Sequence, residues 1–209
     1  VRGKAAALLR EPVNVDDLPE KQAFVASDEK ESGTLQTQEI CRLLKEAGKT
    51  EARAVVLMGE LSNQAARMRT QDIKDVIATP DCSFMQIVEE QTANWSRTQG
   101  ADLMTNWITA GLEFDAVISN NDEMAIGAIQ ALKAAGTPMQ DVVVVGIDAT
   151  ADGLAAMGAG DLDVTVFQNA AGEKRHVRWT FEPVAGRAVL TPEERQARGA
   201  DFLQDELRG

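Results

Sequence analysis

The sequence predicts an α/β fold: a doubly wound parallel sheet, of flavodoxin-like strand order, with helices on both faces. Short apolar strands alternate with single amphipathic helices along most of the chain, and this alternation is typical of such sheets. The stretch from Val142 to Ile147 is continuously apolar and rich in β-branched residues, as expected for a strand covered on both sides. The length of 209 residues is enough for one domain, or for one and a part.

Each predicted element is bounded by turn or stop signals. The predicted strands cover residues 53–59, 83–90, 115–119, 142–147 and 164–167. The predicted helices cover residues 35–47, 63–78, 96–110, 122–135 and 151–158. Gly48, Pro80, Gly111 and Gly136 each follow the apolar residues of a helix, where glycine or proline commonly ends one.

Composition and charge exclude several classes of function. Acidic residues outnumber basic ones by 33 to 21, and no run of Lys or Arg forms a stripe, which argues against nucleic-acid binding. No stretch approaches the ~18 consecutive apolar residues that a membrane span needs. The chain begins Val1-Arg2-Gly3 without an initiator Met or a signal-peptide core, so we expect a mature, processed form or a fragment.

Residues that commonly build metal and nucleophilic sites are scarce. Cys41 and Cys82 are too few for a disulfide scaffold and too far apart for a zinc knuckle, and we favour two free or buried thiols over one bridge. The single histidine, His176, lies in a basic segment and is expected at the surface. Phosphate-binding loops and hydrolase or metalloprotease motifs are absent from the sequence. We therefore predict no metal and no cofactor.

Unusual polar side chains follow each predicted strand. In strand order they are Asn63 to Arg69, Asn94 to Ser96, Asn120 to Glu123, Asp148, and Gln168 with Asn169. Ligands of open α/β sheets bind beyond the carboxyl ends of the strands, so one cleft would receive Arg, Trp, Asn, Asp and Gln. This set suits a neutral polyhydroxyl ligand, since carboxylates, amides and guanidinium pair with hydroxyls and a Trp face covers a sugar ring.

Three other interpretations of these residues remain open. Asn121 with Asp122 would cap one helix and Asp148 would cap the next, with no role in ligand binding. Arg67 and Arg69 would each be solvated helix residues. Asp122 and Asp148 would form an acid/base pair.

Six short segments carry a family resemblance. They are Val25–Asp28, Ser62–Arg69, Ala93–Trp95, Asn121–Ala128, Val144–Asp148 and Val166–Gln168. They resemble the periplasmic sugar-binding proteins of ABC importers, of the ribose-binding type, which are type I periplasmic binding proteins. The similarity runs from about residue 20 to residue 170, and the Asn121–Ala128 segment is the most specific part. Effector domains of lactose-repressor-like transcription factors share this fold.

The resemblance implies two lobes that close on a monosaccharide or polyol, and it assigns roles in the site. Arg69 would donate to ligand oxygens, and Trp95 would stack on the sugar ring. The hydroxyl-binding residues would be Asn121, Asp148 and Gln168, and Arg10 would match the basic residue that the first lobe sends into the cleft. These six residues are the predicted ligand-binding set, and no catalytic residue is predicted.

The resemblance also divides the chain into three parts. Residues 1–27 would be a remnant of the first lobe and hinge, residues 28–168 a complete second lobe, and residues 169–209 a hinge return with a divergent C-terminal segment. Most of the first lobe is therefore expected to be missing, and an exposed hinge face would favour a homodimer.

Taken with this resemblance, the residues predict a non-enzymatic, periplasmic solute-binding component of an ABC-type importer. It would capture a monosaccharide or polyol and deliver it to a membrane permease, and Arg10-Glu11-Pro12 is similar to inositol-class relatives. The alternatives are a ligand-sensing effector domain of a transcription regulator or receptor, an enzyme that uses Asp122 or Asp148, and a truncated lobe that no longer binds.

Overall fold

Five parallel strands form the sheet at the centre of residues 29–166, the part of the chain that the computed structural model describes. The strands are β1 (Ala52–Met58), β2 (Met85–Thr92), β3 (Ala116–Ser119), β4 (Val143–Ile147) and β5 (Val164–Val166). They lie in the order β2-β1-β3-β4-β5, and every neighbouring pair is parallel. The predicted fold class and strand order are therefore confirmed.

The helices cover both faces of this sheet. They are α1 (Glu29–Glu46), α2 (Gln64–Ile77), α3 (Arg97–Thr109), α4 (Asp122–Ala134) and α5 (Ala151–Gly158). Polar side chains accept a hydrogen bond from the first turn of each helix from α2 to α5, and these caps are Asn63, Ser96, Asn121 and Thr150. Sequence patterning missed the first turn of α1, which contains no large apolar residue, and a 3-10 turn at Met139–Asp141.

Two apolar clusters, one on each side of the sheet, form the core. On one side, α1 and α2 pack against β1, β3 and β4 through residues such as Ile40, Ile73 and Val56. On the other side, α3 and α4 pack through residues such as Met104 and Leu132, with α5 against the same cluster. Because successive strand residues point to opposite faces, both clusters draw on the same strands.

Close contact between α3 and α4 depends on glycine. A Cβ atom on Gly127 would lie 2.1 Å from the carbonyl oxygen of Arg97 and 2.8 Å from the amide nitrogen of Ala101. Both of these are backbone atoms, so a larger residue would force the two helices apart.

The two cysteines form a disulfide, which corrects the preference for free thiols. Cys41 lies in α1 and Cys82 in the loop before β2, and their Cα atoms are 5.7 Å apart. The sequence separation of 41 residues gave no indication of this proximity. The folding of α1 beside the amino-terminal end of β2 creates it.

Several sequence predictions lie outside residues 29–166. They concern Arg10, Gln168 and His176, and the boundaries of the three proposed parts of the chain. Among the described helices, none has the length and apolar character that crossing a membrane requires. Within the same residues, no group of three or more His, Cys, Asp or Glu side chains could hold a metal ion.

Candidate functional site

The strand order opens a crevice at the carboxyl ends of β1 and β3. The chain leaves β1 toward α2 on one face of the sheet and leaves β3 toward α4 on the other face. Connections that diverge in this way leave a gap between them, and open α/β sheets bind ligands in that gap. Four of the six predicted ligand-binding residues lie at this edge of the sheet, and they are Arg69, Trp95, Asn121 and Asp148.

Arg69 occupies the centre of the crevice. It lies on α2, is buried, and donates from Nε to Glu29 Oε2 at 2.6 Å and from Nη1 to the carbonyl oxygen of Asn120 at 2.5 Å. Its Nη1 also lies 3.6 Å from Oδ1 of Asp148. A guanidinium group has five N–H donors in a fixed plane, so these contacts set its orientation. The alternative of a solvated Arg69 is therefore wrong, whereas Arg67 is exposed and donates to loop carbonyl oxygens.

The ring of Trp95 lies 5.8 Å, centroid to Cζ, from the guanidinium of Arg69. Trp95 and its neighbour Asn94 both have positive φ angles, of 63° and 50°. A bulky residue in this region of backbone space is strained, and such strain is concentrated at functional sites. The ring also packs against Gly59 at the end of β1, where any Cβ atom would lie within about 2.4 Å of ring carbons. A half-buried aromatic face is thus held at the edge of the crevice.

Asp148 follows β4 and presents an unusually basic carboxylate. Burial is the largest cause, and together with the nearby Asp122 and Glu29 it raises the pKa of Asp148 to about 6, against the opposing effect of Arg69. Nevertheless, 41% of the side chain is exposed. The carboxylate is therefore crowded by protein atoms but open to solvent. Its backbone φ of 118° is a second strained position in the site.

Asn121 and Asp122 have structural contacts of their own. Asn121 Oδ1 accepts from the amide of Met124 and so caps α4, as one interpretation of the sequence predicted. The fully buried Asp122 accepts from the amide and hydroxyl of Thr150 at 2.7 and 3.0 Å, and from the hydroxyl of Thr165 at 2.7 Å. Burial still raises the pKa of Asp122.

These contacts tie the loop that contains Asp148 to α4 and β5. Because its oxygens already accept three hydrogen bonds, Asp122 has little capacity to act with Asp148 as an acid/base pair. In Asn121, Nδ2 makes no hydrogen bond to any residue between 29 and 166, so the amide keeps a donor for a ligand.

The predicted set of six ligand-binding residues left out two residues that build the site. Asn120 accepts from Arg69 through its backbone, and its side-chain oxygen accepts from the amide of Gly59 and the hydroxyl of Thr70. It thereby joins β1, α2 and β3 at the base of the crevice. Glu29 begins α1 and pairs with Arg69 across 40 residues of sequence. No local pattern connects α1 to α2, and only the packing of the two helices brings this pair together.

The arrangement supplies the chemistry that a polyhydroxyl ligand needs. It offers a planar cation, a carboxylate open to solvent and an aromatic face. Such a surface can pair with hydroxyls and cover C–H faces. Together with the doubly wound sheet, it defines a ligand-binding α/β domain.

The chain belongs to the family described as the periplasmic binding protein domain, whose profile matches residues 13–179. It is 73% identical over 164 residues, or 78% of its length, to a Rhizobium meliloti protein named for rhizopine binding. It is 37% identical over 126 residues, or 60% of its length, to the ribose import binding protein of Salmonella typhimurium. The predicted family is therefore confirmed.

A solved structure supports the same assignment. An ABC transporter solute binding protein from Bacillus halodurans, with bound myo-inositol, is 46% identical with a TM-score of 0.65 and covers 72% of this chain. The present chain covers 52% of the Rhizobium meliloti protein, 40% of the Salmonella protein and 50% of the Bacillus chain. It thus spans about half the length, or less, of the relatives that it matches.

Proposed function

We propose that this chain provides a ligand-binding wall of a solute-binding component of an ABC importer, and that its ligand is a cyclic polyol of the inositol type or a monosaccharide. The observation that carries the proposal is the contact group at the crevice. The Arg69 guanidinium lies 5.8 Å from the Trp95 ring centroid and 3.6 Å from the Asp148 carboxylate, at the edge where this fold binds ligands.

Each part of the ligand has a partner in this proposal. The ring of Trp95 covers the C–H face of a six-membered ring, and Asp148 accepts from two adjacent hydroxyls. Arg69 donates from the N–H groups that Glu29 and Asn120 leave unused, and Asn121 donates from its amide. Arg10 and Gln168, which lie outside the described residues, are proposed to complete the hydroxyl contacts.

The inositol-type ligand is favoured by the relatives. The Bacillus protein contains myo-inositol, and the Rhizobium meliloti protein, named for rhizopine binding, shares 73% of the aligned residues. All three relatives described above are solute-binding or import-binding proteins, which favours capture and delivery to a permease over a regulatory effector domain and over catalysis.

A periplasmic location is supported by an independent feature of the chain. Disulfides form and persist in oxidising compartments such as the bacterial periplasm, and Cys41 and Cys82 form one here. The homodimer predicted through a hinge face involves residues outside 29–166 and stays a prediction. Light scattering of the 209-residue chain would test it, because a monomer mass would exclude the homodimer.

The test is a thermal-shift panel on the 209-residue chain with myo-inositol, other inositols, ribose and further monosaccharides at millimolar concentration. A ligand that binds only the folded state adds about 2.7 kcal/mol of stability at a hundred times its dissociation constant. We expect a stereochemically selective shift that Arg69→Lys abolishes, since lysine cannot keep the planar contacts. Arg53→Lys is the matched control, because Arg53 is exposed at the opposite end of β1.

No shift with any polyol or sugar would contradict the proposal. Turnover of a ligand that does bind would instead favour the enzyme alternative.

A further inference from the structure

Arg69 lies between two carboxylates and contacts them unequally. Its Nε donates to Glu29 Oε2 at 2.6 Å, whereas the nearest approach of Asp148 is 3.6 Å, from Oδ1 to Nη1. The 2.5 Å hydrogen bond from Nη1 to the Asn120 carbonyl oxygen holds the guanidinium in this position. The close ion pair is therefore Glu29 with Arg69, and Asp148 has only a looser contact with the cation.

The two carboxylates also differ in how far their side chains are exposed to solvent. The side chains of Arg69 and Glu29 are 9% and 20% exposed, and that of Asp148 is 41% exposed. The Glu29–Arg69 pair is thus the more shielded from water, while Asp148 faces solvent, where a ligand would arrive. Charged pairs interact more strongly when they are shielded from water, so the inner pair is expected to be the more persistent one.

We infer that Glu29 is a positioning residue, which holds Arg69 back from Asp148 and so keeps the Asp148 carboxylate available to ligand hydroxyls. This inference rests on the proposed function and adds a residue to it. A carboxylate that is tightly paired with a guanidinium has fewer lone pairs for a ligand. The negative charge that orients Arg69 is that of Glu29 on α1, and it lies away from the side that faces the ligand.

The charged groups that face Asp148 come from three helices. They are Arg69 on α2, Asp122 on α4 and Glu29 on α1, and the two carboxylates act with burial to raise the pKa of Asp148 to about 6. Removing the charge of Glu29 lowers the pKa of Asp148 in two ways. One repelling charge is lost, and Arg69 is released to approach Asp148, so both changes stabilise the ionised form.

The first arm of the test follows the Asp148 carboxyl carbon by NMR across pH in the ligand-free 209-residue chain. In Glu29→Gln, which removes the charge but keeps the size of the side chain, we expect the pKa of Asp148 to fall by about one pH unit. Glu31→Gln, on an exposed residue of the same helix turn, should leave it unchanged. An unchanged pKa in Glu29→Gln would overturn the inference.

The second arm measures affinity for myo-inositol by calorimetry. We expect Glu29→Gln to bind about tenfold more weakly at pH 7.5, which corresponds to ~1.4 kcal/mol. Its binding should also persist to lower pH than that of the wild type, whereas a structural defect would weaken binding equally at every pH. Equal affinity and pH dependence in the two proteins would contradict the positioning role.

A variant that keeps the charge of Glu29 distinguishes loss of that charge from misfolding. Glu29→Asp should retain most of the raised pKa of Asp148 and lose less affinity than Glu29→Gln, and the reverse order would contradict the inference. If the wild type binds no polyol, the proposed function fails. The ligand-free titration still decides whether Glu29 controls the charge of Asp148.

Discussion

Replacing Gly59 with alanine tests how the aromatic wall of the site is held. The added Cβ atom would lie 2.2, 2.3 and 2.4 Å from three ring carbons of Trp95. The backbone of Gly59 cannot easily yield, because its amide donates to Asn120 and its carbonyl accepts from Thr92. The ring must therefore move by at least ~1.3 Å to reach an ordinary contact distance between carbon atoms. Forced overpacking of this kind costs ~1–3 kcal/mol of unfolding free energy.

The assay is urea denaturation of a double-mutant cycle, which isolates the clash from other effects. We expect Gly59→Ala to lose about 2 kcal/mol in the wild type and less than ~1 kcal/mol in a Trp95→Ala background. Gly158→Ala is the control, since no atom lies within 4 Å of its added Cβ. An equal cost of Gly59→Ala in both backgrounds would show that the ring of Trp95 is not the obstacle. Ligand affinity should fall with the displaced ring.

Three further predictions concern stability. Gly127→Ala should lower the free energy of unfolding in urea by about 3 kcal/mol, because its Cβ would lie 2.1 Å from a backbone oxygen of α3. A loss below ~0.5 kcal/mol would contradict the close contact between the two helices. Replacing Cys41 and Cys82 with alanine should lower the free energy of unfolding by about 4 kcal/mol, the chain-entropy value for a loop closed over 41 residues. An unchanged midpoint of urea denaturation would contradict the disulfide. Asp148→Asn should stabilise the ligand-free chain at pH 7 by at most ~1 kcal/mol, a value reduced by solvent screening. Since burial raises the folded pKa of Asp148 to about 6 from 3.8, this gain should be present above pH 6 and shrink as the pH falls toward 3.8.

The sheet and most of its helices could be predicted because their signals are local. Strands such as β4 are uninterrupted apolar runs, and helices such as α4 have an apolar stripe, a cap at Asn121 and a stop at Gly136. The carboxyl-end rule then indicated the edge where Arg69 and Asp148 would lie, and the structure places them there.

The contacts that support the site could not be predicted because they join distant segments. Glu29 meets Arg69 only through the packing of α1 on α2, and Cys41 meets Cys82 for a similar reason. Asp122 was weighed as a cap or a catalytic acid, yet its partners are Thr150 and Thr165, which reach it from the loop after β4 and from β5. Hydrogen bonds of this kind leave no periodic pattern in the sequence.

An NMR titration of the labelled 209-residue chain with myo-inositol tests the proposed polyol site most directly. We expect the indole resonance of Trp95 and the amide resonances around Asp148 and Asn121 to shift together in one saturable process. The indole of Trp107, which is buried in α3, should not shift. Titration without any change at these positions, or scattered changes that do not saturate, would contradict a polyol site at the carboxyl ends of β1, β3 and β4.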